Sequence, residues 1–241
     1  MTNILRAFLL MTLTALIYTN LATAAELTLA DVASKESDGP DGRGNTADDT
    51  WQFWFELAHA RNQFHILDRH STTIPAEGIP RKVYGPPAGE LPNPNDTVGW
   101  VYHSDWDGRK EGVWADQKAG VIMAQPYVEK TDHLALAISY KVAEDGNYTV
   151  SGGIGDLDIQ SGGRHDGAIW KVQVAEGGKL VREIGAAKTA VGDGGGRPDS
   201  DTFEFQGVPL KKGQLVRLVI HPNRWAPSDL TRIDSFKVEM E

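Results

Sequence analysis

The sequence predicts an all-β protein, an antiparallel β-sandwich, on the basis of three observations. Apolar and polar residues alternate along many short segments, as they do in strands that bury one face. Clusters of glycine, asparagine and aspartate separate these segments and are typical of turns. Apolar residues with helical spacing are scarce along the chain. Short strands with frequent turns favour a sandwich or a barrel.

The first residues have the three-part pattern of a secretory signal peptide. Arg6 is the only charged residue before an apolar run from Ala7 to Tyr18, and residues 22–24 have the A-x-A form that signal peptidase reads. The alternative, an uncleaved membrane anchor, needs about 20 apolar residues, and this run is shorter. We therefore predict that residues 1–24 are a cleaved signal peptide and that the protein is secreted or periplasmic.

The chain is acidic and contains no cysteine. Its formal net charge is −9, and the sequence has no cluster of lysine and arginine. Nucleic acids and anionic membranes attract such clusters, so the composition argues against both as partners. The lack of cysteine excludes disulfides, thiolate metal sites and cysteine nucleophiles. A hydrophobic core must therefore hold the fold together.

Residues 25–50 are predicted to be a flexible acidic leader. The second half of this segment is rich in glycine, aspartate and asparagine, which is the composition of a bendable loop that binds Ca²⁺ through oxygen ligands. The candidate calcium ligands are Asp38, Asp41, Asn45 and Asp48. Their spacing differs from that of an EF-hand loop, so a disordered linker without a metal remains an open alternative.

The segment 51–241 is predicted to be a single β-sandwich domain. Its first strand alternates from Trp51 to Leu57, and residues 64–67 are the expected partner strand. Residues 79–97 contain many prolines, which lack the amide donor that a central strand needs. We expect a long surface loop there, and two domains separated by this stretch are the alternative.

From residue 133 onward the alternation is regular. One face of the first strand in this region carries Leu134, Leu136, Ile138, Tyr140 and Val142, and the other carries Ala135, Ala137, Ser139 and Lys141. The same period-two pattern over 168–174, 216–221 and 236–240 predicts further strands.

The densest group of aromatic and charged residues lies within 99–116, which contains three of the seven tryptophans. Sugar rings stack their C–H faces on indoles and pair their hydroxyls with carboxylate and guanidinium groups. The predicted ligand-binding residues are Trp100, Asp105, Trp106, Asp107, Arg109 and Trp114. Trp106 and Trp114 are expected to be exposed stacking platforms, because they lie among charged residues and glycines. A core position for Trp100 stays open.

A catalytic role for the same segment is the alternative to binding. Asp105 with Glu111 is a candidate acid and base pair for a glycosidase. His103 with either Tyr102 or Arg109 is a candidate pair for removing the proton beside a uronate carboxyl group, as a polysaccharide lyase does. Neither pair has a spacing that only catalysis would explain, so no catalytic residue is assigned.

The C-terminal half contains a series of turn and strand motifs. They include Gly146-Asn147-Tyr148-Thr149-Val150, Asp156-Leu157-Asp158, Gly162-Gly163-Arg164-His165-Asp166, Lys212-Gly213-Gln214 and His221-Pro222-Asn223. Over residues 133–241 these motifs resemble the jelly-roll, galactose-binding-like modules of secreted bacterial carbohydrate-active proteins. The resemblance implies a two-sheet jelly roll with a sugar-binding face or loop end and, often, a structural calcium. No set of ligand residues from that family aligns with this chain, so none is carried over.

Asp156, Asp158 and Asp166 form a second candidate group for Ca²⁺. Asp156 and Asp158 share one strand face, and Asp166 follows a glycine turn, so one end of a sandwich could bring the three together. The alternative is that these carboxylates cap turns by accepting hydrogen bonds from backbone amides.

The sequence as a whole predicts a secreted, non-catalytic protein that binds a polysaccharide or oligosaccharide through exposed tryptophans and acidic residues. A polysaccharide lyase or glycoside hydrolase of the same architecture is one alternative, and a structural or adhesion sandwich is another. A groove with converging ionisable groups would favour the enzyme, and an exposed apolar patch would favour the adhesion protein.

Overall fold

A computed structural model describes the fold in eleven stretches of the chain. The described residues are 24–33, 49–57, 63–67, 69–71, 97–103, 110–116, 120–129, 132–156, 168–188, 200–222 and 231–241. The predicted signal peptide up to residue 23 and the predicted proline-rich loop up to residue 96 lie outside them.

The described residues form fifteen strands and one short helix. The first eight strands are β1 (Ala24–Glu26), β2 (Trp51–Leu57), β3 (Phe64–Ile66), β4 (Arg69–Ser71), β5 (Thr97–His103), β6 (Lys110–Asp116), β7 (Val121–Gln125) and β8 (Tyr127–Glu129). The other strands are β9 (Asp132–Lys141), β10 (Gly146–Asp156), β11 (Ile169–Glu176), β12 (Lys179–Lys188), β13 (Ser200–Leu210), β14 (Leu215–His221) and β15 (Thr231–Met240). The helix, α1, comprises Leu29–Ala33.

The strands form two sheets, and neighbouring strands within each sheet are antiparallel. Sheet A has the order β13-β10-β15-β7-β6-β5-β4, with β1 paired to β15. Sheet B has the order β12-β11-β14-β9-β2-β3, with β8 paired to β9. The predicted all-β, antiparallel β-sandwich is therefore confirmed. Both sheets combine strands that precede residue 130 with strands that follow it.

The main hydrophobic core lies between the sheets and is built by the alternation that the sequence predicts. Sheet B contributes buried side chains that include Phe53, Leu136, Ile138, Val172, Val216 and Leu218, and sheet A contributes Val113, Tyr148, Ile154 and Phe236. Trp51 contacts both sheets. Its ring centroid lies 5.3 Å from the ring centroid of Tyr140 in sheet B and 5.6 Å from that of Phe236 in sheet A. Edge and tilted ring contacts of this kind stabilise a core beyond the burial of apolar area.

The first part of the predicted flexible leader is folded, which corrects that prediction for residues 25–33. β1 pairs with β15 through Ala24↔Glu239, and Leu27 and Val32 are buried in the main core. α1 begins with a capping box, since the Thr28 Oγ1 accepts a hydrogen bond from the Asp31 amide and the Asp31 Oδ2 accepts one from the Thr28 amide. The Thr-x-x-Asp pattern before two apolar residues indicates this helix start, but the acidic composition of the leader favoured disorder.

α1 has 5 residues, and no helix in the described stretches has the length and apolar character of a membrane span.

Candidate functional site

The segment that the sequence singled out for sugar binding forms the β5–β6 hairpin of sheet A. The register pairs Trp100 with Val113 and Tyr102 with Glu111, and the last pair of the hairpin is His103 with Lys110. Residues 104–109, which include the candidates Asp105, Trp106, Asp107 and Arg109, connect these two strand ends and lie outside the described residues. The hairpin brings both ends of that connection together.

Trp114 is fully buried, which corrects the prediction of an exposed stacking platform at this position. Its neighbours Val113 and Ala115 face the main core, so Trp114 points to the opposite side of sheet A, where its cross-strand partner Met123 is also buried. β6 lies between β5 and β7, and both faces of this central strand are covered. Charges and glycines beside Trp114 suggested exposure, but its central position in the sheet determines its burial.

The candidate calcium ligands fall almost entirely outside the described residues. Asp156 ends β10 and its backbone pairs with Thr231, whereas Asp158, Asp166 and the group Asp38, Asp41, Asn45 and Asp48 lie in undescribed stretches. Among the described residues, no three histidine, aspartate or glutamate side chains are close enough to hold a metal ion. The calcium sites stay predictions.

A polar row crosses the face of sheet B that points away from the main core. The strand register aligns Gln173 of β11 with Arg217 of β14, Arg217 with Ser139 of β9, and Ser139 with Gln52 of β2. We call these four residues the arginine row. All four are buried, with exposed fractions between 0% and 3%. Strand alternation placed Ser139 opposite the apolar face of β9 but gave no sign that its own face is buried.

Apolar side chains flank the arginine row on the same face. They form a second, smaller core of Trp54, Phe64, Ala135, Ala137, Ala175, Leu215 and Val219. Sheet B is therefore covered on both of its faces, although only its inner face meets sheet A.

Arg217 is the centre of the arginine row. The carbon at the centre of its guanidinium group lies 4.6 Å from the ring centroid of Trp54 and 4.8 Å from that of Phe64. Its Nε donates to Ser139 Oγ at 3.2 Å, and its Nη2 donates to the carbonyl oxygen of Gly177. Two aromatic faces and two oxygen acceptors thus replace most of the water that the cation loses on burial.

Unpartnered polar atoms occur on two neighbouring side chains of the row, Arg217 and Gln173. The Nη1 of Arg217 and the Oε1 of Gln173 are buried and have no hydrogen bond within the described part of the chain. They belong to side chains that are cross-strand neighbours in β14 and β11. A donor and an acceptor without partners therefore occur side by side in the register.

Burial and the charge of Glu56, which belongs to the same sheet, act in opposite directions on the pKa of Arg217. Burial lowers the pKa of the Arg217 guanidinium to about 10, and the carboxylate of Glu56 partly opposes this shift. Glu56 is itself 6% exposed. The guanidinium is therefore cationic at neutral pH.

Strand β3 and the β11–β12 turn, Gly177 and Gly178, cover this face. β3 pairs with β2 at one edge of sheet B, and an isolated antiparallel bridge between Gln63 and Lys179 connects it to β12 at the other edge. The amide of Phe64 also donates to the carbonyl oxygen of Gly178 at 2.9 Å. The two edges of sheet B thus meet and close the sheet over Arg217.

The glycines of this turn are needed for the closure. Gly177 has a φ of 54°, which favours a residue without a side chain. A Cβ on Gly178 would lie 2.5 Å from the carbonyl oxygen of Phe64, so only glycine allows β3 to approach so closely. The sequence signal that could have revealed this face is a set of small and polar residues, such as Ala137 and Ser139, opposite an arginine inside an apolar strand.

Comparison with known proteins gives similarity at the level of structure alone. No family model matches the chain, and no curated protein matches it. A structure of TmCBM61 in complex with β-1,4-galactotriose is 18% identical, covers 53% of this chain and 74% of that chain, and has a TM-score of 0.34. The K1 cleaved adhesin domain of Lys-gingipain from Porphyromonas gingivalis is 6% identical, with coverages of 91% and 99% and a TM-score of 0.42.

A CBM4 structure is similar over a smaller part of the chain. It is 11% identical, covers 54% of this chain and 75% of that chain, and has a TM-score of 0.34. The likeness concerns the β-sandwich and, at these identities, assigns no function to this chain.

Proposed function

We propose that this chain is an exported, non-catalytic protein that binds a polysaccharide or oligosaccharide at the end of the β5–β6 hairpin. The observation that supports this proposal is the register of the hairpin, in which His103 pairs with Lys110. Every residue of the connection 104–109 is at most three residues in sequence from one of these ends. The candidates Asp105, Trp106, Asp107 and Arg109 belong to this connection, and the proposal therefore assigns the saccharide to the same end of the hairpin.

The chemistry of these four side chains suits a saccharide. An indole offers an apolar face for the C–H groups of a sugar ring, and the carboxylates and the guanidinium group offer acceptors and donors for its hydroxyls. Arg109 would also pair with a uronate carboxyl group through two hydrogen bonds. Trp114 is buried and takes no part in the proposed site, so Trp106 is the stacking residue.

The proposal is tested by replacing Trp106 with alanine and measuring retention in affinity gels that contain galactan, β-glucan or alginate. We expect binding to the retained polysaccharide to weaken about tenfold or more, because an aromatic side chain that a ligand covers contributes about 1.5–3 kcal/mol. Trp106→Phe is the matched control, since it keeps an aromatic face and should retain a large part of the affinity.

Two further readouts bear on the same experiment. Circular dichroism of both variants should match that of the wild type, because the substitution lies in a strand connection. Equal retention of the wild type and Trp106→Ala in every gel would contradict the proposal, as would release of unsaturated products from alginate, which would indicate a lyase.

A further inference from the structure

The closure of sheet B over Arg217 is made by one short strand. β3 has three residues, and among the described residues the Gln63–Lys179 bridge, with its hydrogen bond from the Phe64 amide to Gly178, joins it to the β11–β12 turn. Arg217 adds its hydrogen bond to Gly177 and its contact with the Phe64 ring. A short strand at the edge of a sheet opens at a lower free energy than the core of a domain does.

The closed arrangement also leaves polar groups without partners. Arg217 Nη1 and Gln173 Oε1 are buried with no hydrogen bond from any described residue, and such groups destabilise the state that buries them. Movement of β3 away from the β11–β12 turn would give both atoms access to solvent or to a ligand. The unpaired polar atoms thus lower the free energy that local opening of the closed state requires.

We propose that β3 and the β11–β12 turn form a latch, and that opening of the latch exposes a saccharide-binding surface on Trp54, Arg217 and Gln173. This inference rests on the proposed carbohydrate binding and adds a second, gated surface on the other sheet. The latch opens as a local unit, in which Phe64 leaves the second core while the main core between the two sheets stays folded.

The exposed surface fits a hydroxyl group of a neutral sugar. A hydroxyl both accepts and donates, so it can accept a hydrogen bond from Arg217 Nη1 and donate one to Gln173 Oε1. The indole of Trp54, which loses no contact with Arg217 when β3 leaves, offers the stacking face. Glu56 already balances the charge of Arg217, and this favours a neutral saccharide over a uronate.

A reversible cross-link tests the latch directly, because the chain has no cysteine of its own. Gln63 and Lys179 are both exposed and are antiparallel partners. Partners of this kind have Cα atoms about 4.5–5.5 Å apart, which is within the range of a disulfide. The double variant Gln63→Cys/Lys179→Cys should therefore lock the latch when oxidised and free it when reduced. A matched control, Ser151→Cys/Glu204→Cys, cross-links β10 and β13 of sheet A.

The first readout is hydrogen exchange of the Phe64 amide in the full chain. We expect oxidation of the latch variant to slow this exchange at least tenfold, with no change at the Val142 amide, which bonds to Gln214 in the folded body of the protein. The Ser151/Glu204 control should leave Phe64 exchange unchanged. Equal exchange at Phe64 in the oxidised and reduced latch variant would overturn the proposal.

The second readout is affinity for a neutral galactan or β-glucan. We expect the oxidised latch variant to bind at least tenfold more weakly than its reduced form, and the control pair to show no such difference. Loss of binding in Trp106→Ala but not on oxidation overturns the latch and leaves the hairpin site standing. Loss of binding on oxidation but not in Trp106→Ala overturns the hairpin site and leaves the latch standing. If neither the wild type nor any variant binds a polysaccharide, both the hairpin site and the latch are overturned.

A glycine substitution provides the opposite perturbation. Gly178→Ala places a Cβ against the Phe64 carbonyl oxygen. Val181→Ala, at an exposed side chain of β12, is the control. We expect Gly178→Ala to speed exchange of the Phe64 amide and to strengthen galactan or β-glucan binding severalfold relative to Val181→Ala. Faster exchange together with weaker binding would show that the closed face is not a gated binding surface.

Discussion

The two faces of sheet B differ in chemistry although they belong to the same strands. The inner face, which meets sheet A, is apolar and carries residues such as Ile138 and Leu218. The outer face carries Ser139 and Arg217 in the adjacent positions of the same two strands. Both faces are buried. Burial alone therefore does not identify the face of a strand that forms the main core.

The difference shows how one protein stabilises two kinds of interior. The inner face is stabilised by burial of apolar area and by ring contacts such as that of Trp51 with Phe236. The outer face depends on the matching of one cation to two aromatic rings and two oxygen acceptors. We expect the inner face to be destabilised by any loss of side-chain volume. We expect the outer face to tolerate the loss of the Arg217 charge better than the loss of the Arg217 side-chain volume.

Leu218→Ala tests the inner face and should have the largest effect. Leu218 is 0% exposed between β9 and β11, so truncation leaves a cavity that the two sheets cannot fill. We expect the free energy of unfolding to fall by about 2–5 kcal/mol. Urea unfolding followed by tryptophan fluorescence measures this change. Val181→Ala, at a side chain that is 49% exposed, is the control and should shift stability by less than about 0.5 kcal/mol.

A pair of substitutions at Arg217 tests the outer face. Arg217→Ala removes the group between Trp54 and Phe64 together with its buried charge and its hydrogen bonds, and we expect a loss of about 3 kcal/mol. Arg217→Met keeps an apolar side chain of similar length in place of the cation, and we expect a loss of about 1 kcal/mol. The same urea titrations measure both. Equal losses would mean that charge, and not packing, holds the outer face together.

Strand alternation predicted the two-sheet fold because the period of two is a direct consequence of backbone geometry. It placed Leu136 and Ala137 on opposite faces, and the structure confirms this. The closure of sheet B could not be predicted, since it depends on contacts between Gln63 and Lys179, which are far apart in the chain. A sequence shows which residues share a face, but the partner that covers that face is a property of the tertiary fold.

The candidate site was predictable only in part for a related reason. Residue type suggested sugar binding in the segment that forms the β5–β6 hairpin, and the hairpin register pairs the two strand ends, His103 and Lys110, between which the central candidates occur in the sequence. Exposure, in contrast, depends on the position of a strand within its sheet, and Trp114 was misassigned because β6 is a central strand. Arg217 was passed over because a single arginine in an apolar strand is most often on the solvent side.

The smallest expected effect is a pH dependence that distinguishes the two faces. Burial, and to a lesser degree Tyr148, raises the pKa of Tyr140 on the inner face above its ordinary value. The unfolded chain therefore releases this proton first, so the contribution of Tyr140 to stability is lost as the pH rises above about 10. Arg217 acts in the opposite sense, because its pKa is lowered to about 10 and the folded chain releases its proton first.

Tyr140→Phe should separate these contributions, because it keeps the ring contact with Trp51 and removes only the titrating hydroxyl. We expect the free energy of unfolding of this variant to fall less steeply than that of the wild type between about pH 9.5 and pH 11. Urea titrations at half-unit pH steps measure the two slopes. Parallel curves would indicate that Tyr140 ionises equally in the folded and unfolded chains, and the inner face would then not be closed to water at this position.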